Sequence, residues 1–221
     1  MAKSSVLSSS IAKKVAMALS GLFLISFLSL HFGINLTSVF SEEIFNACSH
    51  FMGYNPLIQY VMQPVLVAGV VFHFIMGFVL NFKNRAARPI SYAKNNDAAN
   101  ASWASRNMII SGAVVLAFLG LHFYDFWFPE MVYKYVESNP EAPARYYDEL
   151  AHKFESPIRT GIYCVSFLLL SLHLWHGFNS SFQSVGFNNK FSKALHKLGY
   201  AFAIIVPFGF IFIALFHHFN H

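Results

Sequence analysis

The chain has 221 residues, 56% of them hydrophobic and only 11% charged, with a formal net charge of +5. A soluble domain of this length carries about 25% charged residues, and here the charges cluster between long apolar runs, which argues for a polytopic membrane protein. The basic excess is no sign of nucleic-acid binding, because Lys and Arg stand beside the apolar runs, where they set topology. Cys48 and Cys164 are the two cysteines; one reads as a loop residue and the other lies near a helix start, so neither a structural disulfide nor a paired-cysteine metal site is expected.

In chain order the first element is the apolar run Val15–Ile34, preceded by Lys3, Lys13 and Lys14. It resembles a signal peptide superficially, but it is long enough to span and no A-x-A site follows closely, so it reads as a retained first transmembrane helix. Tyr60–Leu80, Met108–Phe128, Thr160–Phe178 and Leu198–Phe219 follow. At 1.5 Å per residue each suffices to cross a hydrocarbon core of about 30 Å. They are too long for barrel strands and lack alternation, so the expected fold is an all-α integral membrane protein, a single domain over residues 1–221 with five transmembrane helices. Pro64 and Pro207 lie inside spans, where membrane helices tolerate a kink.

Eleven of the fifteen Lys and Arg residues fall on one side of this topology: Lys3, Lys13 and Lys14, then Lys83, Arg85, Arg88, Lys94 and Arg106, then Lys190, Lys193 and Lys197. The other side holds Lys134, Arg145, Lys153 and Arg159 with nine of the ten acids. The positive-inside rule then puts the N-terminus in the cytoplasm and the C-terminus outside. In the third connection, Pro129–Arg159, the four-residue spacing of Tyr146, Leu150 and Phe154 predicts a short amphipathic helix on the outer surface. No internal repeat and no second domain stand out.

His31, His73, His122 and His173 each lie inside one of the first four spans. Ionisable groups there are costly and face the bundle interior. Helices one and three run outward, and His31 and His122 follow Lys14 and Arg106 by 17 and 16 residues, roughly 25 Å from the inner end. Helices two and four run inward; His73 lies ten residues before Lys83 and His173 fourteen after Arg159, on the inner side of the midplane. Two pairs result, His31 with His122 outside and His73 with His173 inside, and facing imidazoles at one depth are what a six-coordinate haem iron needs. Gly69, His73 and Gly77 share one face, as do His173 and Gly177. Glycine there lets a flat macrocycle approach the backbone; the competing reading is ordinary small-residue helix packing. His176, one turn from His173, competes as ligand, as a propionate partner or as a hydrated residue, and the depth of His173 matches His73 better. His152, His196, His217, His218 and His221 read as solvated residues at helix ends, in the outer helix or at the terminus.

These residues resemble the single-chain di-haem cytochrome b anchor of the succinate dehydrogenase and fumarate reductase (complex II) family over most of the chain. The resemblance rests on His31-x3-Asn35, on Glu43-Ile44-Phe45-Asn46-x3-His50-Phe51-Met52, on His73-x3-Gly77 and His173-x3-Gly177, and on Ser156-Pro157 followed by Gly161-x-Tyr163. No single motif is specific; their order is. It implies a haem-binding bundle of the first four helices in a bacterial inner membrane, with two haems b held by the two histidine pairs. It also implies a flavoprotein and an iron–sulfur subunit docked on the cytoplasmic side, and a quinone, usually menaquinone, near the outer haem. The oligomer to consider is a dimer of the whole complex. His176 departs from the small or amide residue such a chain would carry there.

Quinone chemistry needs a proton-exchanging group. The outer-side candidates are His50, Glu42, Glu43 and Asp125, with His50 inside the family-like segment and Asp125 a candidate second-layer partner. Towards the inside, Arg85, Arg88 and Arg106 could meet propionates or the partner subunit, or serve topology alone. The chain itself does not act on the dicarboxylate, having no flavin or nucleotide fingerprint and no cysteine cluster for an iron–sulfur centre. Two alternatives remain: a cytochrome b serving a hydrogenase or formate dehydrogenase, and a transporter with a histidine proton or metal relay. The transporter would carry acids within the spans and broken helices in paired halves.

Overall fold

A computed structural model describes residues 9–86, 107–187 and 189–220. Lys3, Arg88, Lys94, Arg106 and His221 therefore lie outside the described residues. The described chain is helical: α1 Ser10–Phe40, α2 Glu42–Tyr54, α3 Ile58–Ala86, α4 Met108–Val136, α5 Arg145–Phe154, α6 Pro157–Ser184 and α7 Ser192–Phe219. Of these, α1, α3, α4, α6 and α7 are long and apolar enough to cross a membrane. The chain is a multi-pass helical membrane protein with a lipid bilayer as its setting.

Each spanning helix starts at or before its apolar run, and all but α7 outrun it at the far terminus, because a helix ends at its cap rather than where hydropathy falls. The Ser9 hydroxyl accepts from Ala12 N–H at 3.0 Å to open α1. At the other end Ser41 N–H donates to Thr37 O, while the Ser41 hydroxyl accepts from Ile44 N–H and opens α2. Ser156 caps α6 in the same manner, with Pro157 in the first turn, where its missing N–H costs nothing.

Pro64 and Pro129 share a local solution. Each directly follows a widened turn, Ile58–Met62 or Phe123–Trp127, in which Gln63 N–H reaches Ile58 O and Phe128 N–H reaches Phe123 O. A proline cannot donate to the carbonyl four residues back and its ring pushes against it; a π-turn just ahead makes the room. So α4 continues through Pro129 to Val136, where the hydropathy had suggested a connection, and the expected amphipathic helix is α5, with Leu150 and Phe154 buried.

The helices α1, α3, α4 and α6 form a ring in which α1 and α4 each touch both α3 and α6, and α7 lies outside against α6 and α1. The close approach of α7 needs glycine: a Cβ on Gly209 would lie 2.4 Å from the Phe32 ring and one on Gly199 2.6 Å from the Phe178 ring. We call the end where α1 begins the near end; α2 and α5 cover the far end. Asn46 clasps these two together, its amide donating to Ala144 O at 3.1 Å and its carbonyl oxygen accepting from Tyr147 N–H at 2.8 Å. The buried core, including Phe45, Leu150, Phe154, Tyr163, Phe167 and Phe210, gathers beneath them.

That cover changes two of the histidines expected to be solvated. His217 is only 2% exposed and its Nε2 lies 2.9 Å from the Ser38 hydroxyl. His218 Nδ1 lies 2.8 Å from Phe154 O. Both sit at the end of a span; His217 is buried beneath α5, and His218 is half-buried against the last residue of α5. His152, on α5 itself, is exposed.

Candidate functional site

The four span histidines meet in two pairs. His31 of α1 faces His122 of α4 with ring centres 5.8 Å apart and planes at 80°. His73 of α3 faces His173 of α6 at 6.5 Å and 71°. Imidazoles sharing one iron through bonds of about 2 Å have ring centres about 6 Å apart, and the ring-centre separations of both pairs are of that size. Among the described residues no three or more His, Cys, Asp or Glu side chains gather into a site that could chelate a bare ion.

At the near pair the supporting groups come from α1 and α4. The Ser20 hydroxyl donates to Met17 O at 2.8 Å and lies 3.0 Å from His73 Nδ1. The Ser111 hydroxyl donates to Met108 O at 3.0 Å and lies 3.3 Å from His173 Nδ1. Where the hydroxyl keeps its hydrogen on the backbone carbonyl it accepts from the ring, the arrangement in which Nδ1 carries the proton and Nε2 keeps the lone pair. Beside each serine is a glycine against the same ring: a Cβ on Gly21 would sit 3.4 Å from His73 Cε1, and one on Gly112 3.5 Å from His173 Cε1. Neither the serines nor these glycines were singled out in the sequence.

A signal for them was present, and it corrects the reading that the chain has no internal repeat. Residues 17–32, MALSGLFLISFLSLHF, and 108–123, MIISGAVVLAFLGLHF, agree at eight of sixteen positions. Both contain Met-x2-Ser-Gly followed ten residues later by His. The serine precedes the histidine by eleven residues, three helical turns, so both project from one face. Helices α3 and α6 match through His73-x3-Gly77-Phe78 and His173-x3-Gly177-Phe178. The structure repeats the pattern in space. Met17 Cε lies 3.6 Å from a Cβ built on Gly77, and Met108 Cε 3.2 Å from one on Gly177. Phe27 stacks on His31 at 5.4 Å and Phe118 on His122 at 5.9 Å.

Of the other glycines, Gly69 meets Phe23, whose Cε1 would lie 2.8 Å from an added Cβ, which is helix packing. His176 is half-buried; in the repeat it stands where α3 has Met76, and it is the His173 ring that meets His73.

The far pair is surrounded differently. His31 also meets Phe210 at 5.7 Å, and its Nδ1 lies 3.4 Å from the Asn35 amide nitrogen, which donates to His31 O at 2.8 Å. His122 meets Phe126 at 5.2 Å and Tyr163 at 6.4 Å, and its buried Nδ1 has no hydrogen-bond partner among the described residues. Asp125, in the π-turn ahead of Pro129, is 1% exposed. It accepts from the Tyr163 hydroxyl at 2.8 Å and pairs with Arg159 at 3.0 Å. Asp125 is thus joined to His122 through Tyr163, whose ring touches the imidazole.

Beyond this, α2, the end of α4 and the start of α5 enclose a polar cluster. Glu130 accepts from Lys134 at 2.5 Å, from Arg145 and from Tyr146 at 3.3 Å, and Lys134 also donates to Gly53 O at 2.7 Å. Burial works against the Arg145 charge, but hydrogen bonds to Glu130 and Glu149 outweigh it and hold the guanidinium protonated. Burial, then the Glu130 charge, pushes the Tyr54 and Tyr146 phenols above their ordinary range. His50 lies here with its ring 4.7 Å from that of Tyr54 and its Nε2 3.4 Å from Glu141. Its Nδ1 and the Tyr54 hydroxyl are buried without a hydrogen-bond partner among the described residues. Glu42 and Glu43 are exposed in the first turn of α2, where they suit the positive end of the helix.

Fold and site together define a multi-pass helical membrane protein with two facing histidine pairs in its four-helix ring. No protein-family model matches the chain, and neither a curated protein nor a solved structure does.

Proposed function

We propose that the chain is the di-haem cytochrome b membrane anchor of a succinate dehydrogenase or fumarate reductase, carrying electrons between an iron–sulfur subunit and a quinone, menaquinone in the first instance. The observation that carries this reading is the pairing: four histidines from four helices, meeting two by two with ring centres 5.8 and 6.5 Å apart. Haem iron supplies one-electron carriage when bound. The chain's own part is to hold two imidazoles on each iron, to exclude water with the aromatic side chains around the far pair, and to keep both sites inside the bundle. A histidine site for a bare metal ion is less well supported, because no third His, Cys, Asp or Glu joins either pair among the described residues.

In this reading the near end, with Lys13, Lys14, Lys83, Arg85, Lys190, Lys193 and Lys197, faces the cytoplasm. There it receives the flavoprotein and iron–sulfur subunits in a bacterial inner membrane. Quinone chemistry belongs to the far end, where His50 Nδ1 and the Tyr54 hydroxyl are neighbours without a hydrogen-bond partner among the described residues and able to exchange protons with a bound ring.

The test is haem stoichiometry and redox titration of the purified chain with each span histidine replaced by alanine. Two b-type haems are expected, one lost in the His31 and His122 variants and the other in the His73 and His173 variants. A chain without haem, or with haem content indifferent to all four replacements, sinks the reading.

A further inference from the structure

We propose that Ser20 and Ser111 are positioning residues for the near-end haem, each accepting the Nδ1 hydrogen of the histidine it faces and so leaving Nε2 as the ligating atom of His73 and His173. The inference rests on the di-haem reading and deepens it. Four observations converge. The hydroxyls lie 3.0 and 3.3 Å from the two Nδ1 atoms. Each also lies 2.8 or 3.0 Å from the carbonyl three residues back, on Met17 or Met108, which offers its hydrogen a place and leaves the oxygen free to accept. Each is followed by a glycine, Gly21 or Gly112, beside the same ring, where an added Cβ would lie 3.4 or 3.5 Å from its Cε1. The arrangement occurs twice, in segments matching at eight of sixteen positions. A serine that merely satisfied its own backbone would not need the facing imidazole.

The consequence is electronic as well as geometric. A ligating imidazole that donates its Nδ1 hydrogen to an acceptor gives more electron density to the metal and is held in one orientation. That favours the oxidised iron and lowers the potential of the haem it serves. The far pair lacks the device: His122 Nδ1 has no hydrogen-bond partner among the described residues, and His31 Nδ1 faces an amide nitrogen at 3.4 Å. The effect is therefore confined to one haem.

The experiment uses the full chain purified with its resident haem, as wild type and as the Ser20→Ala, Ser111→Ala, Ser20→Thr and Ser111→Thr variants. Haem content, the two midpoint potentials and the ferric electron paramagnetic resonance signals are read in each. The alanine variants are expected to raise one of the two potentials and move that haem's ferric signal, with the other haem unchanged, and the threonine variants to restore both. If an alanine variant sheds one haem, retention in the matching threonine variant supports the proposal, since only the hydroxyl distinguishes them in kind. Two haems with unchanged potentials and signals in the alanine variants overturn it, as does failure of threonine to restore what alanine alters, which would reduce the serines to packing. Absence of haem from the wild type would instead remove the di-haem reading itself.

Discussion

The near and far histidine pairs are built on one plan and finished in two ways. Around the near pair the repeat is intact: serine, glycine and methionine of α1 answer serine, glycine and methionine of α4, and each ring has a hydroxyl. Around the far pair the repeat keeps its histidines and stacked phenylalanines, and then breaks. Asn35 of α1 corresponds to Phe126 of α4, and Ile34 corresponds to Asp125. The departures bring in the carboxylate, the π-turn, Tyr163 and Arg159, and they lie under the cover of α2 and α5. A symmetric frame of paired histidines with one modified end is a simple way to give two similar pairs different environments.

The largest effect that would sharpen this contrast lies in the far-end ion pair. The Asp125 side chain is fully buried, while that of Arg159 is 32% exposed. Replacing Arg159 by Met strands a buried carboxylate and should cost about 3 kcal/mol, whereas Asp125→Asn leaves a cation that can turn to water and should cost about 1 kcal/mol. Thermal unfolding in detergent ranks the two, and a reversed order would mean that Arg159, not Asp125, is the member held by the fold.

Next in size is the seam between α7 and α1. Gly209→Ala pushes a methyl to 2.4 Å from the Phe32 ring, next to His31. Overpacking of that kind costs about 2 kcal/mol. Gly120→Ala, two residues before His122 in α4 but with nothing within 4 Å, should instead gain about 1 kcal/mol from helix propensity. Equal unfolding temperatures for the two variants would show that α7 is not closely seated on the far pair.

How far the sequence anticipates all this depends on the kind of information each feature needs. Depth can be counted along a helix from its basic flank, which is why the pairing of His31 with His122 and His73 with His173 was readable before any coordinates. Helix ends could not be placed from hydropathy, because Ser9, Ser41 and Ser156 decide them and Pro129 is absorbed by a π-turn. His217 looked solvated because it ends a span; its burial requires α5 to fold back over it, a contact between distant parts of the chain. Ser20 and Ser111 were hidden by being ordinary, since a serine in an apolar helix commonly bonds its own backbone. Only comparison of one half of the chain with the other marks them.

The smallest effect probes how exact the near-end symmetry is. Gly21 and Gly112 occupy matching places, and both would bring a methyl into ordinary contact with an imidazole, at 3.4 and 3.5 Å. Gly21 has one further neighbour: the Ser181 hydroxyl of α6, 3.0 Å from the added carbon. That hydroxyl donates to Gly177 O at 2.9 Å, so moving it aside sacrifices a hydrogen bond worth about 1 kcal/mol. Alanine in place of glycine inside a helix returns about 1 kcal/mol. Gly112→Ala should therefore stabilise the chain by about 1 kcal/mol, while Gly21→Ala comes out close to neutral. Unfolding temperatures of the two variants, measured side by side, read the difference directly. A gain of the same size in both would mean that Ser181 yields freely and that the near pair is symmetric in its packing as well as in its hydrogen bonds.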